Sequence, residues 1–192
     1  AGIVDSGNVA VAGNVTLTTD AGNGVINMGT LQQSAGDLIL VTNGNGAATV
    51  VNNAAIDFGT SNVGGALDVT ASAGTITQNG GALTVAGTSA FTTSTNDQAI
   101  TLSNTTNALT GAVAFTTGGT TGNVVIDNGT TGLDLAASTI SGTLTATGGA
   151  SAGIVDSGNV AVAGNVTLTT DAGNGVINMG TLQQSAGDLI LV

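Results

Sequence analysis

The chain has 192 residues, a net charge of −11 carried entirely by aspartate, and no lysine, arginine, histidine, cysteine or proline. Without a cation it has nothing to grip nucleic-acid phosphate or an anionic membrane surface, and no apolar run approaches the ~20 residues of a membrane span. Its hydrophobic content of 41% and mean hydropathy of +0.43 nevertheless supply a core of Val, Leu, Ile and Ala, which argues against disorder.

From the amino terminus, residues 1–41 read AGIVDSGNVAVAGNVTLTTDAGNGVINMGTLQQSAGDLILV, and the same residues recur unchanged at 152–192. The offset defines a tandem unit, residues 1–151, with 152–192 opening the next identical unit. Ala1 is not an initiator methionine and no signal peptide is evident, which reads as a segment of a longer precursor.

Within the unit, segments of the form Gly-x-apolar-x-apolar begin at Gly13, Gly36, Gly65, Gly87, Gly111 and Gly142, with Ser89 the one departure from an apolar residue. They are separated by steps of 23, 29, 22, 24, 31 and 22 residues, so a long step ends each group of three. VAVAGNVTLTT at 9–19 aligns with LTVAGTSAFTT at 83–93, giving two half-units, 13–86 and 87–163.

Each coil holds three short stretches of alternating apolar residues, the pattern of strands with one buried face. The first puts Val15 and Leu17, Leu38 and Leu40, Leu67 and Val69, Phe91, or Val113 and Phe115 in the core. The second carries Ile26 and Met28, Val51, Ile76, Ile100 and Leu102, Val124 and Ile126, or Val155. The third carries Leu31, Ile56 and Phe58, Leu83 and Val85, Leu109, Leu133 and Leu135, or Val160 and Val162. Gly, Asn, Asp, Ser and Thr between the stretches make turns, and no helical period is present. The predicted fold is an all-β, right-handed parallel β-helix (a β-solenoid) with three short strands per coil of about 22–31 residues, a single solenoid over 1–192. Six coils at the spacing of hydrogen-bonded strands advance ~29 Å per unit.

The phrase G-x-L-x-L-T-x-x-G-x-I-x-N-x-G…L-x-V-x-G, seen in GALDVTASAGTITQNGGALTVAG at 65–87, resembles the coil repeat of filamentous haemagglutinin-type exoproteins, the two-partner secretion adhesins. The resemblance covers essentially the whole chain. It implies a right-handed β-helix filament, exported through a bacterial outer membrane and displayed at the cell surface or released. It carries over no functional residues.

Chemistry is scarce. With Asp as the sole acid–base group and no His, a catalytic constellation cannot be assembled, and the chain is expected not to be an enzyme. The aspartates, of which Asp127 and Asp134 are the one near pair in sequence, read as solvated turn residues; no cofactor is expected, and weak calcium bridging between filaments is the alternative. Thr18 and Thr19, Thr92 and Thr93, and Thr116 and Thr117 recur at one place in their coils and form a possible recognition ladder, although Val41-Thr42, Thr70-Ala71 and Thr147-Gly148 interrupt it. The bland alternative is a β-prone strand end. Asn27, Asn53, Gln78, Asn104 and Asn128 are expected to stack as structural amides.

The function expected from all this is a structural or adhesive extracellular filament: a cell-surface fibre, sheath or stalk. The alternative is a binding module that uses outward threonines on polysaccharide or ice. A functional amyloid is a third reading, which coils of this length disfavour. The expected partners are copies of itself, end to end or side by side, and cell-surface polysaccharide, with no nucleic acid and no membrane insertion.

Overall fold

A computed structural model describes residues 1–20, 22–149, 153–171 and 174–192. Alternating apolar residues and turn-forming Gly and Asn fold these into 25 strands, with no helix among the described residues. Every strand pairing is parallel, and the strands form a 13-stranded and a 12-stranded sheet. The fold is an all-β solenoid of parallel strands, and the two sheets enclose one continuous apolar core.

One ladder climbs from Ile3 through Ile26, Ala48, Leu67, Ser89 and Val113 to Leu135. On that last strand Leu133 pairs with Ile154, and Ile154 with Ile177. Successive partners are 19 to 24 residues apart, which makes about eight turns. The unit from Ile3 to Ile154 thus contains seven turns, not the six coils of 22–31 residues expected from the glycine-led segments.

The extra turn lies in the two long steps, each of which holds four strands. Leu38–Val41, Ala48–Asn52, Ile56–Phe58 and Ser61–Val63 precede Leu67–Ala71. Val113–Gly118, Val124–Asp127, Leu133–Leu135 and Ser138–Ile140 precede Leu144–Gly148. An ordinary turn lays one straight strand on one sheet and a bent pair on the other. The pair lies on the 13-stranded sheet in Ile3–Val4 with Val9–Val11, moves to the 12-stranded sheet in Ile56–Phe58 with Ser61–Val63, and returns in Leu133–Leu135 with Ser138–Ile140. At each changeover two straight strands follow one another, so the glycine-led segments swap sheets after every three.

A changeover breaks the backbone ladder, and side chains mend it. Where a bent pair overlies a straight strand, the bend carries its carbonyls out of reach. The Leu40 N–H donates instead to Ser61 Oγ at 3.0 Å, and the Phe115 N–H donates to Ser138 Oγ at 3.0 Å. Where a straight strand overlies a bent pair, an asparagine imitates the missing peptide. Asn52 Oδ1 accepts the Gln33 N–H at 2.8 Å while its Nδ2 donates to the Gln33 carbonyl at 2.9 Å. Asn128 does the same for Leu109, at 2.8 and 3.0 Å. Both asparagines are fully buried, and each substitutes for two backbone partners that would otherwise be orphaned.

Exposed corners use a lighter version of this device. Asn14, Asn23, Asn123 and Asn165 accept the N–H of Asp37, Asn45, Thr143 and Asp188 one turn above, at 2.8–3.1 Å. Gly36 and Gly187 sit directly over Asn14 and Asn165 with φ of +81° and +85°, a conformation and a proximity that exclude a side chain. In the core, Phe58 meets Phe91 edge to face at 6.3 Å, and Phe91 stacks on Phe115 at 5.9 Å.

The expected core residues Val15, Leu38, Leu40, Leu67, Val69, Phe91, Val113 and Phe115 are buried, and Leu17 in the first turn is half-buried. Two strands lie one residue out of the expected phase: Val50, not Val51, and Ile154, not Val155, face inward. A one-residue slip inverts every side chain of a strand. The same slip puts Asn53 in solvent and Asn52 in the core. Asn27 is also exposed, and the amides that act internally are Gln33, Asn52, Asn107 and Asn128, with Gln78 half-buried against Asn107.

Candidate functional site

The six threonines of the predicted ladder divide into two kinds. Thr19, Thr93 and Thr117 are buried; their hydroxyls donate across a corner to the carbonyls of Gly24, Gln98 and Gly122 at 3.1, 3.1 and 2.7 Å. Thr42 does the same to Gly46 at 2.6 Å, so the Val41-Thr42 position belongs to this internal series. A hydroxyl committed to a buried carbonyl cannot face a ligand, which removes these three from any recognition surface. Thr18 is exposed but lies on the 12-stranded sheet, whereas Thr92 and Thr116 are neighbours on the 13-stranded sheet. The six therefore form no single row.

Other threonines do. On the 13-stranded sheet Thr70, Thr92, Thr116 and Thr139 pair in sequence up the stack and continue into Ala161 and Gln183. On the 12-stranded sheet Thr145 pairs with Thr167 and Thr147 with Thr169, a patch two threonines wide and two turns high. Val125 and Asp127 lie beneath it and Ile190 lies above Thr167. The Thr-x-Thr alternation in GTLTATG signals that patch in the sequence, but aligning on paired Thr-Thr obscures it.

Shallow, uncharged grooves follow the bent side of the 13-stranded sheet. One is lined by Ala10, Val11, Ala12, Gln32, Ser34 and Asn53. Its repeat-equivalent is lined by Ala161, Val162, Ala163, Gln183 and Ser185, with Thr139 and Ser141 on its lower side. Methyls, amides and hydroxyls line them and no titratable group is present, so they offer apolar contact and neutral hydrogen-bonding groups.

Three aspartates are structural acceptors, not free solvated charges. Asp5 accepts the Gly29 N–H at 3.1 Å and the Thr30 N–H and hydroxyl at 2.7 and 2.8 Å. Asp156, its repeat-equivalent, clasps Gly180 and Thr181 in the same way at 2.7–2.8 Å. Asp97, in the left-handed region at φ 62°, accepts the N–H groups of Thr120 and Thr121 at 2.7 and 2.8 Å. The Thr30 N–H holds Asp5, and the Thr120 N–H holds Asp97, below the ordinary carboxylate value of 3.8. For Asp156 desolvation pushes upward, and the hydrogen bonds from Thr181 and Gly180 outweigh it. Among the described residues no three acidic side chains gather closely enough to hold a metal ion.

No curated protein and no solved structure matches the chain. One repeat family matches it twice, over residues 45–116 and 121–189. Both blocks open just before a straight strand, Ala48–Asn52 or Val124–Asp127, whose last or next residue is a stapling asparagine, Asn52 or Asn128, and both then run through a stapling serine, Ser61 or Ser138. The repeating module of that family coincides here with half the tandem unit, three and a half turns from one changeover to the next. With most of its length covered by these two matches, the chain belongs to the family described as repeats of unknown function (DUF5649).

Proposed function

We propose that the chain is a segment of a stiff extracellular filament that spaces, attaches or sheathes bacterial cells, of the kind built from filamentous haemagglutinin-type repeats. The observation that carries this reading is the closure of the repeat. The identical segments at the two ends make identical pairings: Ile3 with Ile26 and Ile154 with Ile177, Val9 with Leu31 and Val160 with Leu182, Val15 with Leu38 and Val166 with Leu189. A unit that completes whole turns adds to the next without a break, so an array lengthens as one rod. The surface fits this role: sparse negative charge keeps it soluble, and the absence of Lys and Arg removes trypsin-type cleavage sites. Arrays of one, two and three units, imaged by electron microscopy, should give rods of one width whose length rises in equal steps. Beads on a flexible string would overturn the reading. Loss of surface fibres on deletion of the array from the parent cell tests the placement outside the cell.

A second reading, an adhesive or ice-binding module, draws support from the outward threonine column Thr70–Thr92–Thr116–Thr139 and the patch Thr145, Thr147, Thr167 and Thr169. Replacing Thr92 and Thr116, or Thr145 and Thr167, by lysine leaves the inward faces untouched. Unchanged polysaccharide adhesion and ice shaping would leave the structural role alone.

A further inference from the structure

An asparagine followed by glycine is chemically labile in water, because the glycine N–H can attack the asparagine amide carbon with no Cβ in its way. Hydrogen bonds to either group, or neighbours that fix the backbone between them, keep the two reacting atoms apart. The unit 1–151 has five such pairs, at 23–24, 43–44, 45–46, 79–80 and 128–129.

Four of the five are held. Asn128 is buried, its Oδ1 accepts from the Leu109 N–H and its Nδ2 donates to the Leu109 and Gly132 carbonyls, while the Gly129 N–H donates to Asp127 at 2.9 Å. Asn23 Oδ1 accepts the Asn45 N–H at 2.9 Å, which ties both residues down. The Gly46 N–H donates to the Asn43 carbonyl at 3.1 Å, and that bond closes the turn 43–46. Gly44, within this turn, is wedged between Asn23 Oδ1 below and Gly64 above.

The fifth pair is free. Asn79 and Gly80 are both exposed. The Asn79 N–H donates to the Phe58 carbonyl at 3.2 Å, but among the described residues neither the Asn79 side chain nor the Gly80 N–H meets a partner. Gly80 has a φ of +83°, a Cβ built on it would touch nothing, and it borders an open depression lined by Gln78, Ser103, Asn104 and Thr105. The chain on either side is clamped. Gln78 Nε2 donates to the Gly81 carbonyl and, at 2.6 Å, to Asn107 Oδ1, and Gly81 packs directly on the Thr60 backbone. Residues 79 and 80 therefore loop out between anchored neighbours.

We propose that Asn79 is a site of spontaneous covalent modification, converting in water to aspartate and isoaspartate. The Gly80 N–Cγ bond forms as the Cγ–Nδ2 bond breaks, and Nδ2 leaves as ammonia with the proton from the glycine N–H. Water then opens the cyclic imide. Cleavage of the new bond gives aspartate; cleavage of the original peptide C–N bond gives isoaspartate, whose main chain is longer by a methylene. The looped corner takes up that methylene, so the flanking strands Ile76–Gln78 and Leu83–Val85 keep their register. Each conversion adds a negative charge to a chain that has no basic side chain. The proposal is independent of the filament reading.

The test ages the 192-residue chain in mildly alkaline buffer and maps peptides by mass spectrometry. Asn79 should convert first, ~10-fold or more ahead of Asn23, Asn43, Asn45 and Asn128, which must first lose hydrogen bonds or open locally. In the urea-unfolded chain that lead should vanish. The aged chain should keep the parent's circular dichroism. Asn79→Gln, which leaves the fold intact, should lack the early acidic species on isoelectric focusing. Equal rates at the five sites in the folded chain, or any other site converting before Asn79, overturns the assignment. So does a lead of Asn79 that persists in urea, or an early acidic species that persists in Asn79→Gln. Loss of the circular dichroism in step with conversion overturns the claim that the corner absorbs the change.

Discussion

Asn52 and Asn128 concentrate the problem a solenoid faces when its cross-section changes. Each sits over a backbone N–H and carbonyl that the strand above has abandoned, and its amide presents an acceptor and a donor in the geometry of a peptide group. Alanine at either position leaves two buried polar groups unpaired, at a cost on the order of 1–3 kcal/mol for each. The damage should be local, because a stack of turns responds to nearest neighbours. Asn128→Ala is therefore expected to accelerate amide exchange at Leu109 and in the adjoining turns by ~10-fold or more, while exchange around Leu38, several turns away, stays unchanged. Uniform acceleration throughout the chain would show that the staple acts on global stability instead. These two residues were only half legible in the sequence. Both look like turn asparagines, and Asn53 competes with Asn52 for the same role. The choice depends on which side of the Ala48–Asn52 strand faces the core, and residue type alone does not fix that parity.

At the scale of elements, alternation and turn chemistry made strands, their parallel stacking and most of the core readable, because Val15, Leu67 or Phe115 can be buried only if every second residue turns inward. The changeovers are legible only in the lengths of the steps. Steps of 29 and 31 residues leave room for one more strand than steps of 22 do, and Ala48–Asn52 and Val124–Asp127 fill that room. Counting one coil per glycine-led segment assumed that such segments always return to the same sheet. Aspartate clasps leave no signature in the sequence because they join residues about 23–25 positions apart, beyond any local motif. They carry a pH dependence whose sign can be worked out. Asp5, Asp97 and Asp156 have folded-state pKa values below the ordinary 3.8, so between those values and 3.8 the unfolded chain binds more protons than the folded one. Their stabilisation is present in full above that range and is lost as pH falls through the lowered values. Acid also relieves repulsion among the remaining aspartates in a chain without a single basic side chain, which acts in the opposite direction. The two effects separate by difference: the melting temperature of the parent should fall relative to that of a D5N/D97N/D156N variant as pH drops from about 5 to 2. Parallel curves for the two proteins would mean that the clasps contribute nothing to the pH response.

At the scale of the whole molecule, the number of turns per unit sets the dimension by which a filament would be known. Six coils predict an axial period of ~29 Å, and seven turns predict ~34 Å, both at the ~4.8 Å spacing of hydrogen-bonded strands. The difference follows from the two changeovers, each of which adds half a turn to a half-unit that otherwise contains three. Each half-unit of three and a half turns ends facing the opposite way, so surface features such as the Thr70–Thr139 column and the Thr145–Thr169 patch alternate between the two sides of the rod. Two half-units restore the starting orientation, apart from the cumulative twist of the stack. The orientation thus returns with the same 151-residue period as the sequence. Fibre diffraction or helical reconstruction of a multi-unit array should therefore show a ~4.8 Å meridional spacing and a unit repeat of ~34 Å, seven times as long. A repeat of ~29 Å would restore six coils per unit and refute the changeovers at Ala48–Asn52 and Val124–Asp127. A repeat of half the ~34 Å value would make the half-units equivalent and remove the alternation of faces along the rod.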